Sequence, residues 1–452
     1  MKRYGIVLGA GMGTRMKSEV PKVLHEVMGR AMIEHAVDAL DAVGVEKTVV
    51  VTGHKAELVE LCLGTRVMYA RQMEQLGTAH AVKMAEYLLM DLEGTTVITY
   101  GDVPLLTSDT LEKLFIHHEK TGAGLTMLTA KTDDPTGYGR IIRNDFGKII
   151  RIVEQKDASL DQLLIKEINS GVACYNNKML FKALQKVKPN NQQQEYYLTD
   201  VVEIMASMGQ KIEGLICDDF EETLGVNDRI QLADANRFMR TRINQKHMEN
   251  GATLVDSATT YIEADVTIGT DVVIEPNVYL KGNTTIEKGT TIGSGSHLLN
   301  ATIGVGTYVQ ASYIANSKIG AHAMIGPFAH IREGAVIGDK TRVGNFVEIK
   351  KSTLEDGVKS GHLAYIGDAE IGARTNVSCG VITANYDGKN KFKTIVGADV
   401  MIGSNVNLVA PVEVGDGAYI AAGSTVTKNV PTDALAIARS KQENKPGYAK
   451  KL

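Results

Sequence analysis

Two patterns of apolar residues divide this chain. In its second half, aliphatic side chains recur at every sixth position: Ile262, Ile268, Ile274, Leu280, Ile286 and Ile292. The step resumes with Ile319, Ile325, Ile331, Ile337, Val343 and Ile349, and again with Ile402, Leu408, Val414, Ile420 and Val426. A period of six fits neither an amphipathic helix nor an alternating strand. It is the signature of hexapeptide repeats, whose short strands stack into a parallel β-helix. Each rung points inward, and one coil cannot bury its apolar face without the next. Glycine often follows the rung, as in Ile325-Gly326 and Ile402-Gly403, where a tight corner favours a residue without a Cβ. The ladder slips by one residue from Ile314 to Ile319 and from Ile366 to Ile371, and it breaks over 382–394, which is polar. That stretch reads as a loop leaving the stack, and insertions in repeat proteins mark a binding face.

The first half alternates instead. An apolar run at 4–8 reads as a buried strand and enters a glycine loop, Gly9-Ala10-Gly11-Met12-Gly13, followed by Thr14, Arg15 and, after Pro21, Lys22. Helical patterns at 31–43, 55–63 and 78–90 then alternate with strand patterns at 47–51, 67–70 and 95–100. Such alternation predicts a mostly parallel, Rossmann-like α/β sheet with helices on both faces. Ligands of these sheets bind at the carboxyl ends of the strands, the edge on which the glycine loop and Gly101-Asp102 fall. Residues 222–226 read as a further strand. Residues 227–250 read as a connecting helix with a thin apolar stripe, Leu232, Met239 and Ile243, stopped near Gly251. The expected division is 1–226, a helical linker 227–250, and 251–452, the last ending after Pro431 in a polar, Lys-rich tail.

Composition narrows the partners. A formal net charge of −4, without a long basic block, argues against nucleic acid. No apolar run reaches the ~18–20 residues that cross a bilayer, and the N-terminus enters a strand rather than a signal peptide. The four cysteines are scattered with no CxxC pair, so neither structural zinc nor a disulfide framework is expected, which suits a cytoplasmic protein.

The candidate chemistry begins at the glycine loop. No Gly-Lys-Ser/Thr step closes it, and Thr14 stands where a dinucleotide fingerprint has its third glycine. A plain tight turn is one reading. Bared backbone N–H groups beside Arg15 and Lys22 point instead to a polyphosphate. Asp102 either caps a turn or supplies an oxygen to Mg2+ bridging phosphates, with Asn227 as a second donor. In the repeat half, the stack alone admits an inert rod, a binding platform or an acyltransferase. His362 stands at an interruption of the rungs and is either a structural hydrogen bonder or a base. An amine nucleophile needs a base near neutrality, which imidazole supplies.

Several motifs carry a resemblance. LGAGMGTRM (8–16), PKVLH (21–25), QLGTAHAV (75–82), YGD (100–102), YGRI (138–141), VEQKDA (153–158) and GVNDR (225–229) resemble the sugar-phosphate nucleotidyltransferases. VGNFVEIKKS (343–352), HLAYIGDAEIG (362–372), ITANYDG (382–388), LVAPV (408–412) and ALAIARS (434–440) resemble an acetyltransferase half. Together they resemble, over essentially the whole chain, the bacterial bifunctional N-acetylglucosamine-1-phosphate uridyltransferases / glucosamine-1-phosphate acetyltransferases. That family makes UDP-N-acetylglucosamine for peptidoglycan and other envelope polymers. The resemblance implies that Leu8, Gly9, Ala10, Gly11, Arg15, Lys22, Gln72, Gly77 and Thr78 hold UTP, and that Gly139, Glu154 and Asn169 hold the sugar. Arg15 and Lys22 would serve the chemical step, and Asp102 and Asn227 would bind Mg2+. It implies His362 as general base, and Arg332, Lys350, Tyr365 and Asn376 around glucosamine-1-phosphate. Cys379, Asn385, Tyr386, Ser404, Ala422 and Arg439 would lie around acetyl-CoA, on a left-handed β-helix assembled as a homotrimer. Departures from the family are Gly9 for Ala, Ala31 for Pro and Ala79 for Gly in the first half. In the second they are Glu333 for Pro, Gly361 for Asn, Ser378 for Gly and Val381 for Thr. Two other readings stay open at this level: a nucleotidyltransferase with a passive prism, and a regulatory scaffold of the same layout.

Overall fold

A computed structural model describes residues 1–191 and 193–451; Leu452, the end of the expected tail, lies outside the described residues. The chain divides into two compact units, Met1–Met239 and Arg240–Leu452. The division falls inside the helix Arg229–Glu249.

The first unit is built on a twisted sheet whose main path runs Ile212–Ile216, Leu125–Lys131, Glu167–Asn176, Thr95–Tyr100, Arg3–Leu8, Lys47–Thr52 and Met68–Arg71. Arg3–Leu8 pairs in parallel with both neighbours, Leu8 lying opposite Tyr100 and Val51. Glu167–Asn176 is antiparallel to both of its neighbours. Burial on both faces explains the unbroken apolar run at 4–8. Ile6 and Leu8 join a core with Val82, Leu180 and Val201, whereas Val7 joins another with Val37, Leu40 and Leu114.

Two expectations fail locally. The helix expected over 78–90 is two short ones, Thr78–Lys83 and Glu86–Leu89. The strand expected over 222–226 is a 3-10 turn, Phe220–Thr223, with extended residues after it. The turn wins because Glu222 is spent as an anchor, its Oε2 accepting hydrogen bonds from Thr107 N and Oγ1 at 3.0 and 2.8 Å.

The second unit is a parallel β-helix of short strands in stacked columns. One column shows the register: Ile262, Leu280, Leu298, Ile314, Ile331, Ile349 and Ile366 lie directly above one another. Every expected rung is buried except Ile268, which is partly exposed. Two rungs were not legible as such, because they are polar. Ser360 is fully buried beneath the turn that carries His362, and Thr383 is buried between Ile366 and Leu408. Thr383 fits because its hydroxyl donates to Gly367 O at 3.0 Å and accepts from Gly367 N at 2.8 Å. The break expected over 382–394 is therefore shorter. Ile382–Ala384 and Thr394–Val396 stay in the stack, and only 385–393 leaves it.

Candidate active sites

In the first unit, three strand ends converge. Gly9 N donates to Val51 O and Gly101 N to Leu8 O, both at 2.9 Å, so the glycine loop and the Asp102 turn leave the sheet side by side. Val226 N donates to Asp102 O at 2.8 Å, which brings Asn227 beside that turn. Gly13 adopts φ 63°, and a Cβ there would stand 2.6 Å from Lys22 Cβ. Only glycine lets the loop fold this closely against the stem of Lys22.

These connections bring four polar heads together. Lys22 Nζ pairs with Asp102 Oδ2 and donates to Asn227 Oδ1 at 3.2 Å, and Arg15 Nη2 donates to the same Asn227 oxygen at 2.9 Å. Of the four, Lys22 and Asp102 line a cleft of about 240 Å³ together with Leu8, Gly9, Ala10, Gly11, Gln72, Gly77 and Thr78 among others, and Asn227 and Arg15 join it through Lys22 and each other. All the residues expected around the nucleotide except exposed Arg15 thus share one cavity. Gln72 is buried, its Nε2 within 3.2 Å of Gly77 O and 2.9 Å of His80 Nδ1. Gly77 sits at φ 110°, with backbone of Tyr196 where a Cβ would go. Glu195 and Gln75 also line the cleft; Gln75 stands at the start of a quoted motif, whereas nothing in the pattern around Glu195 marks it.

The three residues expected at the sugar lie together. Asn169 N donates to Gly139 O at 2.9 Å, and a Cβ on Gly139 would lie 3.5 Å from the Glu154 carboxylate. Burial pushes the Glu154 carboxyl above its usual range, as do Asp157 and Asp200, while a hydrogen bond with Thr199 opposes the rise. Because the folded-state pKa is raised, the associated stability is present at low pH and is lost as pH climbs through that pKa. Glu154→Gln is therefore expected to raise the melting temperature of this unit at pH 7, by on the order of 2 °C. The gain should vanish near pH 4, and the KM for the sugar phosphate should rise. A variant less stable than the parent at pH 7 contradicts this.

In the β-helix, backbone bonds at the turns define two edges of the stack. Along one edge Phe346 N bonds Phe328 O, Gly380 N bonds Leu363 O, Asn405 N bonds Cys379 O and Gly423 N bonds Ser404 O, and the Arg439 side chain approaches Gly423. His362, Cys379, Ser404, Ala422 and Arg439 therefore follow one another coil by coil along a single exposed edge. His362 is exposed, with Nδ1 3.3 Å from Asn345 Oδ1. Asn345 lies opposite His362 in the paired strands, a partner that the coil repeat itself could have pointed out.

The other edge carries Arg332, Lys350, Asp368 and Asn385. Asp368 N bonds Lys350 O and Lys351 N bonds Glu333 O, both at 3.1 Å, and Asn385 Nδ2 bonds Asp368 Oδ2. Tyr365 lies in the strand between the edges, opposite Glu348. Arg332 Nη1 donates to Glu348 Oε1 at 2.7 Å. Tyr386, exposed at the root of the 385–393 loop, donates to Gly388 O at 2.6 Å. Asn376 is the exception among the expected sugar ligands. It pairs with Lys359 and Met401 in a different column, and its Nδ2 is occupied by Ser378 Oγ at 3.0 Å and Met401 Sδ at 3.3 Å. One chain does not gather it with Arg332, Lys350 and Tyr365.

A phosphate-directed cleft at the carboxyl edge of a mostly parallel sheet, followed by a hexapeptide β-helix bearing an exposed histidine, defines a transferase with two separate heads. Sequence comparison agrees unit by unit. Residues 4–223 match the nucleotidyl transferase family, and 265–300, 316–351 and 393–428 match the bacterial transferase hexapeptide repeat. Over its full length the chain is 53% identical to the bifunctional protein GlmU of an Exiguobacterium species, across all of that protein. It is 52% identical to that of Staphylococcus epidermidis, across both whole chains, and 52% to that of Geobacillus thermodenitrificans, across 98% of the latter. The chain belongs to the GlmU family of bifunctional acetyltransferase/uridyltransferase enzymes.

Proposed function

We propose that the second unit acetylates glucosamine-1-phosphate with acetyl-CoA and that the first then couples N-acetylglucosamine-1-phosphate to UTP. The product, UDP-N-acetylglucosamine, would feed peptidoglycan and other envelope polymers in the cytoplasm. The observation that carries the nucleotide half is the meeting of Arg15, Lys22, Asp102 and Asn227 at the mouth of the glycine-lined cleft.

In the uridyl step, a phosphate oxygen of the sugar phosphate forms a bond to the α-phosphorus of UTP while the bond to the departing pyrophosphate breaks. Two anions must approach, so Lys22 and Arg15 neutralise charge as it gathers. The work is positioning and electrostatics, without a protein nucleophile. Among the described residues no cluster of three or more His, Cys, Asp or Glu could hold a metal by itself. One carboxylate and one amide oxygen, both already converging on the Lys22 ammonium, suit a hard cation that takes its other oxygens from water and phosphate. Asp102 and Asn227 would hold Mg2+, which would supply further positive charge to the phosphates.

In the acetyl step the amine nitrogen attacks the thioester carbonyl, His362 takes the amine proton, and the coenzyme A thiolate leaves. Arg332 and Lys350 would clamp the sugar phosphate. Cys379, Ser404, Ala422 and Arg439 would line coenzyme A along the edge that carries His362, whereas Asn385 and Tyr386 stand at the loop on the other edge and would reach coenzyme A from a second copy. Asn376 lies in another column, which supports a sugar site completed by a second copy, as a closed trimer would provide. Light scattering should then give three times the chain mass of 48.8 kDa. A monomer that acetylates at full rate would overturn the shared site.

A further inference from the structure

We propose that Glu333 sets how tightly the acetyl-transfer site holds a sugar phosphate, its carboxylate competing with the phosphate for Lys350 and Arg332. This rests on the reading of those two cations as the phosphate clamp. Arg332 N donates to Ile349 O at 2.8 Å and Lys351 N to Glu333 O at 3.1 Å, so the β-helix register fixes Glu333 beside Lys350. Its Oε1 lies 3.4 Å from Lys350 Nζ and its Oε2 lies 3.8 Å from Arg332 Nε. Glu348 takes the far side of the same guanidinium at 2.7 Å. Two cations thus face two carboxylates, and the cluster is formally neutral. Lys350 is the sheltered member, its side chain 15% exposed against 46% for Glu333. The ammonium has little water to turn to, whereas the carboxylate can swing into solvent when a phosphate arrives.

Glu348 and Glu333 are not equivalent in this cluster. Glu348 engages Arg332 alone, with a short bond that orients the guanidinium. Glu333 touches both cations at longer range, so it orients neither strongly and mainly cancels charge. Substrate and product carry the same phosphate, so the competition weakens both and favours product release. The sequence marks this position independently, since glutamate stands where the family resemblance leads one to expect proline, a residue with no charge.

The test is the Glu333→Gln variant of the full chain, assayed for acetyl transfer. The neutral amide keeps the shape and removes the competing charge. The KM for glucosamine-1-phosphate should fall roughly fivefold, because a competing full charge is removed from a partly exposed site. The KM for acetyl-CoA and the melting temperature should stay unchanged, and the difference from the parent should shrink in high salt. An unchanged or raised KM for the sugar phosphate overturns the proposal. Lys350→Met separates the two levels of the argument. If it leaves that KM unchanged, the clamp reading itself fails. If it raises KM while Glu333→Gln does not lower it, only the role of Glu333 fails.

Discussion

Asp102→Ala is expected to lower kcat for uridyl transfer by at least about 10²–10³-fold while acetyl transfer stays at the parental rate. The size follows from where the carboxylate sits. Its carboxylate pairs with Lys22, on which Asn227 Oδ1 also converges, so its loss removes the anionic half of the proposed cation site and leaves the Lys22 ammonium without this partner. Alanine cannot substitute through water alone, because the neighbouring amide carries no charge. The fold should survive, since the turn is held by backbone bonds from Val226 N to Asp102 O and from Gly101 N to Leu8 O, which the substitution does not touch. Chelation of divalent cations from the unmodified protein should reproduce the selective loss. Parallel assays of pyrophosphate release and of thiol release measure both activities. Near-normal uridyl transfer by the variant in excess Mg2+ sinks the assignment.

His362→Ala should show the mirror image: acetyl transfer reduced about 10²–10⁴-fold, the range for a positioned general base, with uridyl transfer intact. The imidazole is exposed and meets Asn345 through a long contact, so its removal should shift stability by no more than about 0.5 kcal/mol. A structural role would predict the opposite, a stability loss with little kinetic consequence. Because the missing function is removal of a proton from the amine, raising the pH should restore part of the rate as more of the amine becomes free. Equal acetyl transfer by variant and parent, measured by thiol release from acetyl-CoA, refutes the role.

The hexad was legible because each aliphatic rung occupies one inward position per strand, and the geometry of a stack tolerates little else. Its polar exceptions were not, since Ser360 and Thr383 break the pattern in sequence while keeping it in space. Backbone hydrogen bonding lets Thr383 do so, a compensation invisible to hydropathy. In the first unit the alternation and the glycine loop were readable from local chemistry, and so was the strand-end placement of Asp102. The turn at Phe220–Thr223 was not, because its conformation depends on Glu222 reaching Thr107 more than a hundred residues away. The same limit hid Glu348 and Asp368, whose partners Arg332 and Asn385 are one coil removed. The separation of Asn376 from the other sugar ligands is likewise a matter of which column a strand joins.

The exposed edge that carries His362 has a property of its own. Its residues are spaced by the stacking distance of neighbouring strands, roughly 4.8 Å, and each turn bonds its neighbour in the same way. The edge is thus a graduated scale with the reactive histidine at its zero mark. Residues 385–393 leave the stack at the other edge, so the scale is not interrupted and Asn405 N still bonds Cys379 O. A whole coil added or removed would change the length of the molecule that spans the scale by one graduation and leave every remaining turn as it was. Reach and reactivity can therefore diverge independently in proteins built this way.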